Sequence, residues 1–380
     1  MPQGQCFSNS EVFMLFQWYL FVFLSILYVV AGVSNQTYRI YAAGEYERRC
    51  RWFTAFVVIA VLTYVAAVRP RDFIDTRSYY NHYLRESGTW NTVVNYARSN
   101  GKDKGFYILT AILKGILGDH VQVYLGIISG ISLLLVFAVY RKHSCNFLIS
   151  TFLFIASGEY VQWTHNGIRQ FLAVAIVFAS TDLLLKKRYV LYTLIVLFAS
   201  SFHASALIAL PMLFVVRGKP WNMRAILMML GILALCSSST LLNDLLSSVV
   251  ENSQYANDMD ALMATGGTNA FRVLVFAIPP LLALMFRGPI TRLDLPRINL
   301  SVNMSIVSLG IYIISMFTSG IYIGRVPIYF SLHNYLLLPW IIDRFFEKNS
   351  AKLIYLLLMI CYMGFYYYQM HIVWGAVTSL

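Results

Sequence analysis

Apolar runs of about 20 residues recur along this chain, and they limit what it can fold into more than any other feature. A hydrocarbon core ~30 Å thick is crossed by roughly 20 residues of α-helix. Inside it every backbone N–H and C=O must be satisfied within the segment, which a helix does alone. Such runs lie at 13–33, 52–68, 121–140, 167–185, 271–286, 301–318, 326–342 and 353–370, with weaker ones at 147–158 and 222–237. The stretch 189–216 is too long for one helix and short for two, and Ser200, Ser201, Phe202 and His203 interrupt its middle. It reads as a split pair of half-spans. The fold expected is an all-α, polytopic transmembrane helical bundle with about 10–12 membrane segments, forming a single integral membrane domain over 1–380. Only 12% of the 380 residues are charged and 58% are hydrophobic, against ~25% charged in a soluble domain. A soluble fold is excluded. Gln17, Trp18 and Tyr19 break the first run and no small-residue cleavage site follows, so it is read as a span, not a leader.

The formal charge of +12 does not point to nucleic acid, because the basic residues fall in short clusters between apolar runs. Arg39, Arg48, Arg49 and Arg51 follow the first run; Arg141 and Lys142, Lys186 to Arg188, Arg217 to Arg224, Arg287 to Arg297 and Arg344 to Lys352 follow later ones. Placing all of these in the cytoplasm gives one consistent alternation. It leaves 238–270 as an acidic extracytoplasmic loop, with Asp244, Glu251, Asp258 and Asp260 and no Lys or Arg. It also leaves 69–120 outside, a loop whose part 102–117 has apolar residues at helical spacing (Phe106, Leu109, Ile112, Leu113, Ile116, Leu117) beside Lys102, Lys104 and Lys114. That pattern predicts a helix lying on the membrane surface. The loop keeps Arg69, Arg71, Arg77 and Arg85 on the side the orienting rule disfavours, and an anion there would give them a purpose.

Four segments carry candidate chemistry. The outer loop Arg69-Pro-Arg-Asp-Phe-Ile-Asp75-Thr-Arg77-Ser-Tyr79 mixes guanidinium groups, a carboxylate and a phenol, which together grip phosphate and sugar hydroxyls. Asn166-Gly167-Ile168-Arg169-Gln170 opens the run at 167–185. An arginine at that depth faces a cavity or a partner unless it snorkels to lipid phosphates. Phe202-His203-Ala-Ser205 sits at the interruption in 189–216, where irregular backbone is tolerated around a site; the competing reading is a histidine that only satisfies nearby carbonyls. Gly324-Arg325-Val-Pro-Ile-Tyr329-Phe330 puts an arginine at the end of a run, where an interfacial anchor is the alternative. The five cysteines form no ligand spacing and are read as free, and no metal site is expected. The chain has no P-loop, HExxH, GxSxG or GxGxxG motif, so no nucleotide or other cofactor is expected.

In order and rough spacing, these segments resemble the EpsG-like group of Wzy-type polysaccharide polymerases, across about residues 55–335. The carriers are Arg69 with Asp75-Thr-x-x-Tyr79, Asn166-Gly-Ile-Arg-Gln170, Phe202-His-x-Ser-Ala206, and Arg325 with Tyr329-Phe330. Lys104-Gly105-Phe106 stands where the group usually has Glu-Pro-Gly-Phe, and no role is assigned there. The resemblance implies a GT-C-like glycosyltransferase architecture in a bacterial inner membrane, with its active site facing the periplasm. The implied reaction polymerises O-antigen or exopolysaccharide, moving a growing glycan from undecaprenyl diphosphate to the next lipid-linked repeat unit. Implied partners are that lipid-linked oligosaccharide, membrane lipid and a chain-length regulator protein. Asp75, His203 and Arg169 are then the candidate catalytic residues, and Arg69, Arg77, Tyr79, Gln170, Arg325 and Tyr329 the candidate substrate-binding ones. Arginines stabilise charge on a departing diphosphate, and Asp75 or His203 accepts the acceptor's proton. A flippase of the same lipid-linked sugars and an O-antigen ligase remain as alternatives; a flippase is expected to carry inverted repeats.

Overall fold

The computed structural model describes residue 13 and residues 17–33, 37–42, 45–99, 101–237 and 266–374. Most of the acidic stretch at 238–270 and Cys6 lie outside the described residues; the four described cysteines form no disulfide with one another. The chain divides into two compact units. One holds residues 1–184, 188–206 and 342–380, the other 185–187 and 207–341.

The first unit begins with α1 (Tyr19–Val33), a two-stranded antiparallel hairpin (Thr37–Ala42 with Glu45–Cys50) and α2 (Trp52–Ala67). Three short helices follow, α3 (Thr76–Arg85), α4 (Trp90–Arg98) and α5 (Lys104–Leu117). After them come α6 (Val121–His143), α7 (Phe147–Ala156), α8 (Ile168–Ala179), α9 (Thr181–Leu185) and α10 (Tyr189–Ser200). Two are long and apolar enough to cross a membrane: α6, with mean hydropathy 2.3, and the continuous run Ile168–Leu185. Helix α2 packs along α6 because Ala55, Val58, Ile59, Leu62, Val65 and Ala66 fall on one stripe. Opposite them, α6 offers Gly126 and Gly130, four residues apart. A Cβ at Gly126 would come within 3.2 Å of the Ala67 Cβ, and one at Gly130 within 3.2 Å of Thr63 Cγ2. Small residues at this spacing let two membrane helices approach closely.

At one end of α6 the Lys142 ammonium meets the Asp182 carboxylate, to which His143 Nε2 also bonds at 2.9 Å. Arg141 lies over the Trp52 ring, 4.2 Å from its centre, and Arg49 donates to the Ser144 carbonyl at 2.6 Å. Arg49 of the hairpin and Arg141, Lys142 and His143 of α6 thus gather at one end, with Asp182 of α9 among them. The helices α3 to α5 pack on the starts of α6 and α8, at the other end, with Tyr83, Phe106, Tyr124 and Ile168 in one apolar cluster. Thirteen residues of helix separate Arg169 from Asp182, about 20 Å of rise.

The stretch 189–216 is broken as expected. Helix α10 stops at Ser200 and helical structure resumes as a 3₁₀ turn over Ala204–Ile208, leading into α11 (Ala209–Val216). In the second unit α12 (Met223–Cys236) and α13 (Ala270–Met285) pack against α15 (Pro296–Met316), with α14 (Arg287–Leu293) bent 70° from α13. Helix α15 is the most enclosed span, 89% buried over its apolar window. Its Asn303 Nδ2 donates to the Val216 carbonyl at 3.1 Å, satisfying an orphan group at the end of α11. The run expected as one span at 326–342 is instead a 3₁₀ turn (Ile323–Arg325), the single turn α16 (Ile328–Ser331) and α17 (Asn334–Phe345). Pro327 and Pro339 remove two backbone donors from it. Helix α18 (Lys348–Tyr367) then packs on α7 in the first unit. Apart from the hairpin, the architecture is the all-α polytopic bundle that the apolar runs predict.

Candidate functional site

Three of the singled-out segments meet in the first unit. Arg169 occupies the first turn of α8, and its Nη1 donates to Asp103 Oδ2 at 3.0 Å and to the Tyr107 hydroxyl oxygen at 3.1 Å. The Tyr79 hydroxyl meets the same guanidinium. Asp103, at the N-terminus of α5, uses its other oxygen, Oδ1, to accept the Ala204 N–H at 3.3 Å. One residue pair on, Gly105 N donates to the Ser201 carbonyl at 2.8 Å. The backbones are so close that a Cβ at Gly105 would sit 2.4 Å from Ser201 Oγ and 2.9 Å from Ser201 O. The Gly-Phe element and the Phe-His-x-Ser element, about a hundred residues apart, are therefore one structure.

His203 follows directly. Its Nδ1 lies 2.7 Å from Ser205 Oγ and accepts the Ser205 backbone N–H at 3.4 Å. A backbone amide can only donate, so Nδ1 is the acceptor nitrogen, and the neutral ring carries its proton on Nε2.

The bend into α8 has its own local cause. A π-turn over Gln162–Asn166 replaces the regular helix, and Gly167 lets it close, since a Cβ there would be 2.9 Å from the Trp163 ring. This presents Asn166 and Gln170 in buried positions, 8% and 5% exposed, with Asn166 Oδ1 unpartnered. Arg69 lies beneath, 5% exposed, with Nη1 donating to the Thr164 carbonyl of that turn and Nε and Nη2 without hydrogen-bond partners. Burial pushes the Arg69 guanidinium down to about 10, partly offset by Tyr79, Tyr160 and Tyr124, and it remains a cation at neutral pH. Tyr79 thus stands among two arginines.

Other expected residues sit at the margin. Asp75 and Arg77 are exposed at the start of α3. Asp75 precedes Tyr79 by four residues, the spacing that puts two side chains on one helical face. Sequence reading passed over the neighbours of Tyr107: His82 packs edge-on to its ring at 5.0 Å and Tyr96 stacks on it at 5.5 Å. Glu86 accepts the Tyr96 hydroxyl at 2.9 Å and lies 3.8 Å from His82 Nε2. Burial lowers His82 below its ordinary value, opposed by Glu86 and reinforced by Arg169 and Arg85. The i, i+4 spacing of His82 and Glu86 was a local signal for this pair.

Helix α5 is amphipathic as expected, but one basic residue turns inward. Lys114 is 9% exposed, pairs with Asp119 and lies 4.9 Å from the centre of the Tyr83 ring, while Ile112 and Ile116 are exposed. Beside the site a largely apolar groove of about 450 Å³ runs between α4, α5 and α10, with Ile108, Ile112, Phe198 and Phe202 on its walls and Lys104 at its edge.

Arg325 and Tyr329 belong to the second unit. Arg325 is half-buried at the end of its 3₁₀ turn, and Tyr329 is 2% exposed in α16. Gly324 lets that turn rest on the loop before α13, because a Cβ there would be 2.5 Å from Thr268 Oγ1. Among the described residues no three His, Cys, Asp or Glu side chains gather as metal ligands.

The model of the EpsG family matches residues 52–375, which includes every one of these segments. No curated protein matches the chain, and no solved structure does.

Proposed function

The chain belongs to the EpsG family, and from that premise we propose that it is a glycosyltransferase that polymerises lipid-linked oligosaccharide repeat units. In this reading a growing glycan on undecaprenyl diphosphate is transferred to the next lipid-linked repeat unit at the periplasmic face of a bacterial inner membrane. The observation that carries it is the Arg169 guanidinium, 34% exposed and tied through Asp103 to the His203 turn, with the buried Arg69 cation sharing Tyr79 with it. A bond from an anomeric carbon to a diphosphate breaks most easily where the departing charge meets cations already in place.

The acceptor hydroxyl attacks the anomeric carbon, the carbon–oxygen bond to the diphosphate breaks, and its electron pair leaves on undecaprenyl diphosphate. The hydroxyl proton passes to a base. Arg169 and Arg69 take the diphosphate, assisted by Tyr79 and Gln170, with Arg77 as a further substrate contact; Arg325 and Tyr329, in the second unit, are assigned to substrate binding on the family resemblance alone. His203 presents an Nε2–H in its neutral tautomer, which suits a donor to a sugar or phosphate oxygen better than a base. Asp75 is then the proton acceptor, four residues before the Tyr79 that meets Arg169. The glycosyl diphosphate carries the energy. The groove beside Phe202 has the apolar character that the first isoprene units of the carrier require. A GT-C-like core and a chain-length regulator as partner belong to the same proposal.

Deleting the gene and resolving the cell's lipid-linked or lipopolysaccharide glycans by gel tests this. Loss of long chains with a single repeat retained supports polymerisation. Loss of every repeat would point to a flippase or ligase instead.

A further inference from the structure

We infer that Asp103 is a positioning residue, the carboxylate that aims Arg169 at an anion and fixes the His203 turn to it. The inference rests on the diphosphate reading above for the identity of the anion. Asp103 has a side chain only 7% exposed and spans two segments that are distant in sequence: Oδ2 takes Nη1 of Arg169 at 3.0 Å, and Oδ1 takes the N–H of Ala204 at 3.3 Å. Its backbone is left-handed, with φ 52° and ψ 30°. For residues other than glycine, Asp and Asn enter that region most readily. Because both carboxylate oxygens are engaged, one side chain sets the guanidinium and the turn at once. Tyr107 holds Nη1 from a second side. The Arg169 guanidinium is thereby held in one plane while a third of its side chain stays exposed, and a fixed planar fork is what bidentate recognition of a phosphate oxygen pair needs.

Asp103→Asn is the informative change, since Asn tolerates the left-handed backbone and keeps the shape. It replaces one acceptor with a donor, so either Arg169 or the Ala204 N–H must lose its partner. Two readings of Asp103 then predict opposite results. A carboxylate that only competes for Arg169 would, once neutralised, leave the guanidinium free and anions would bind more tightly. A carboxylate that aims it would, once neutralised, weaken binding.

The experiment is a double-mutant cycle on the purified full chain in detergent, with farnesyl diphosphate as probe, measured for the wild type, Asp103→Asn, Arg169→Ala and the double variant. We expect binding to weaken about tenfold in Asp103→Asn, in line with a charge-assisted hydrogen bond. The double variant should bind no worse than Arg169→Ala alone. Tyr107→Phe, which removes one of the two tyrosine anchors and leaves Tyr79, should weaken binding by a smaller factor. Unchanged or tighter binding in Asp103→Asn overturns the inference, as does an additive double variant. The same cycle read as melting midpoint needs no ligand. A wild type that ignores the probe while the two residues remain coupled in melting overturns the diphosphate reading and leaves the pairing in place; loss of that coupling overturns the pairing itself.

Discussion

Replacing Gly105 with alanine adds one methyl group at the point where α5 touches the end of α10. Its ideal position is 2.4 Å from Ser201 Oγ, 2.9 Å from Ser201 O and 3.0 Å from the carbonyl carbon, against roughly 3.3–3.6 Å for a comfortable carbon–oxygen approach. Rotating the serine relieves the first contact, but Ser201 Oγ then gives up its 2.7 Å bond to the Phe198 carbonyl. The other two contacts are with backbone and yield only if the segments part by about half an ångström. That stretches the Gly105–Ser201 hydrogen bond beyond its 2.8 Å. Overpacking of this kind costs about 1–3 kcal/mol. A shift of order 1 Å near reacting groups costs roughly a hundredfold in rate, so half of it is expected to cost about tenfold. Gly105→Ala should therefore lower the melting midpoint in detergent and reduce polymer formed from purified lipid-linked repeat units about tenfold. Adding Ser201→Ala removes only the hydroxyl contact and should recover part of the midpoint, not all of it. A Gly105→Ala protein with wild-type melting and a wild-type glycan ladder would refute the claim that these two segments form one site.

Arg169→Ala is expected to abolish polymer while the protein still reaches the membrane, and Arg169→Lys to restore little, because an ammonium offers no planar fork; a normal ladder in Arg169→Ala returns Arg169 to the role of an interfacial anchor. Asp75→Asn should be inactive at every pH, whereas His203→Gln should keep measurable polymer with a flattened pH profile near neutrality, and the reverse pattern would make His203 the base. His82 gives a pH test of stability. Its folded value lies below the ordinary one, so the unfolded chain takes up a proton first as pH falls through about 6.5; stability is present above that point and lost below it. Between pH 7.5 and 5.5 the melting midpoint should drop more in the wild type than in His82→Gln, and equal drops would remove His82 as a contributor.

The helices were legible in the sequence because a membrane enforces length and apolarity residue by residue. The interruption at Ser200 to His203 was visible for the same reason, and α10 and the following turn break there. The hairpin at 37–50 was not, since Arg39, Arg48, Arg49 and Arg51 report which end of a span they flank and say nothing of strand pairing. The run at 326–342 looked continuous because hydropathy does not register the donors that Pro327 and Pro339 lack. Arg69, Arg169, Tyr79 and His203 were picked out by residue type at the edge of apolar runs. Asp103 was passed over beside an unexpected lysine. Its two partners are 66 and 101 residues away, and no local pattern encodes a bond over that separation. Lys114 was grouped with Lys102 and Lys104 beside a surface helix for a related reason. Only the packed structure reveals that the Tyr83 ring and Asp119 receive it.

Helix α10 has 12 residues and so is about 18 Å long, while the hydrocarbon core is ~30 Å thick. Held upright, with Lys186 to Arg188 at one membrane surface, it ends well short of the other. In that orientation the Ser201 to His203 turn would lie where lipid offers no hydrogen bonds, and the Gly105 N–H and the Asp103 carboxylate would stand in for water there. A charged head group reaching Arg169 would in that orientation be drawn below the plane of its neighbours. Turnover should accordingly follow the acyl length of the surrounding lipids, falling in thick bilayers where that descent is longest.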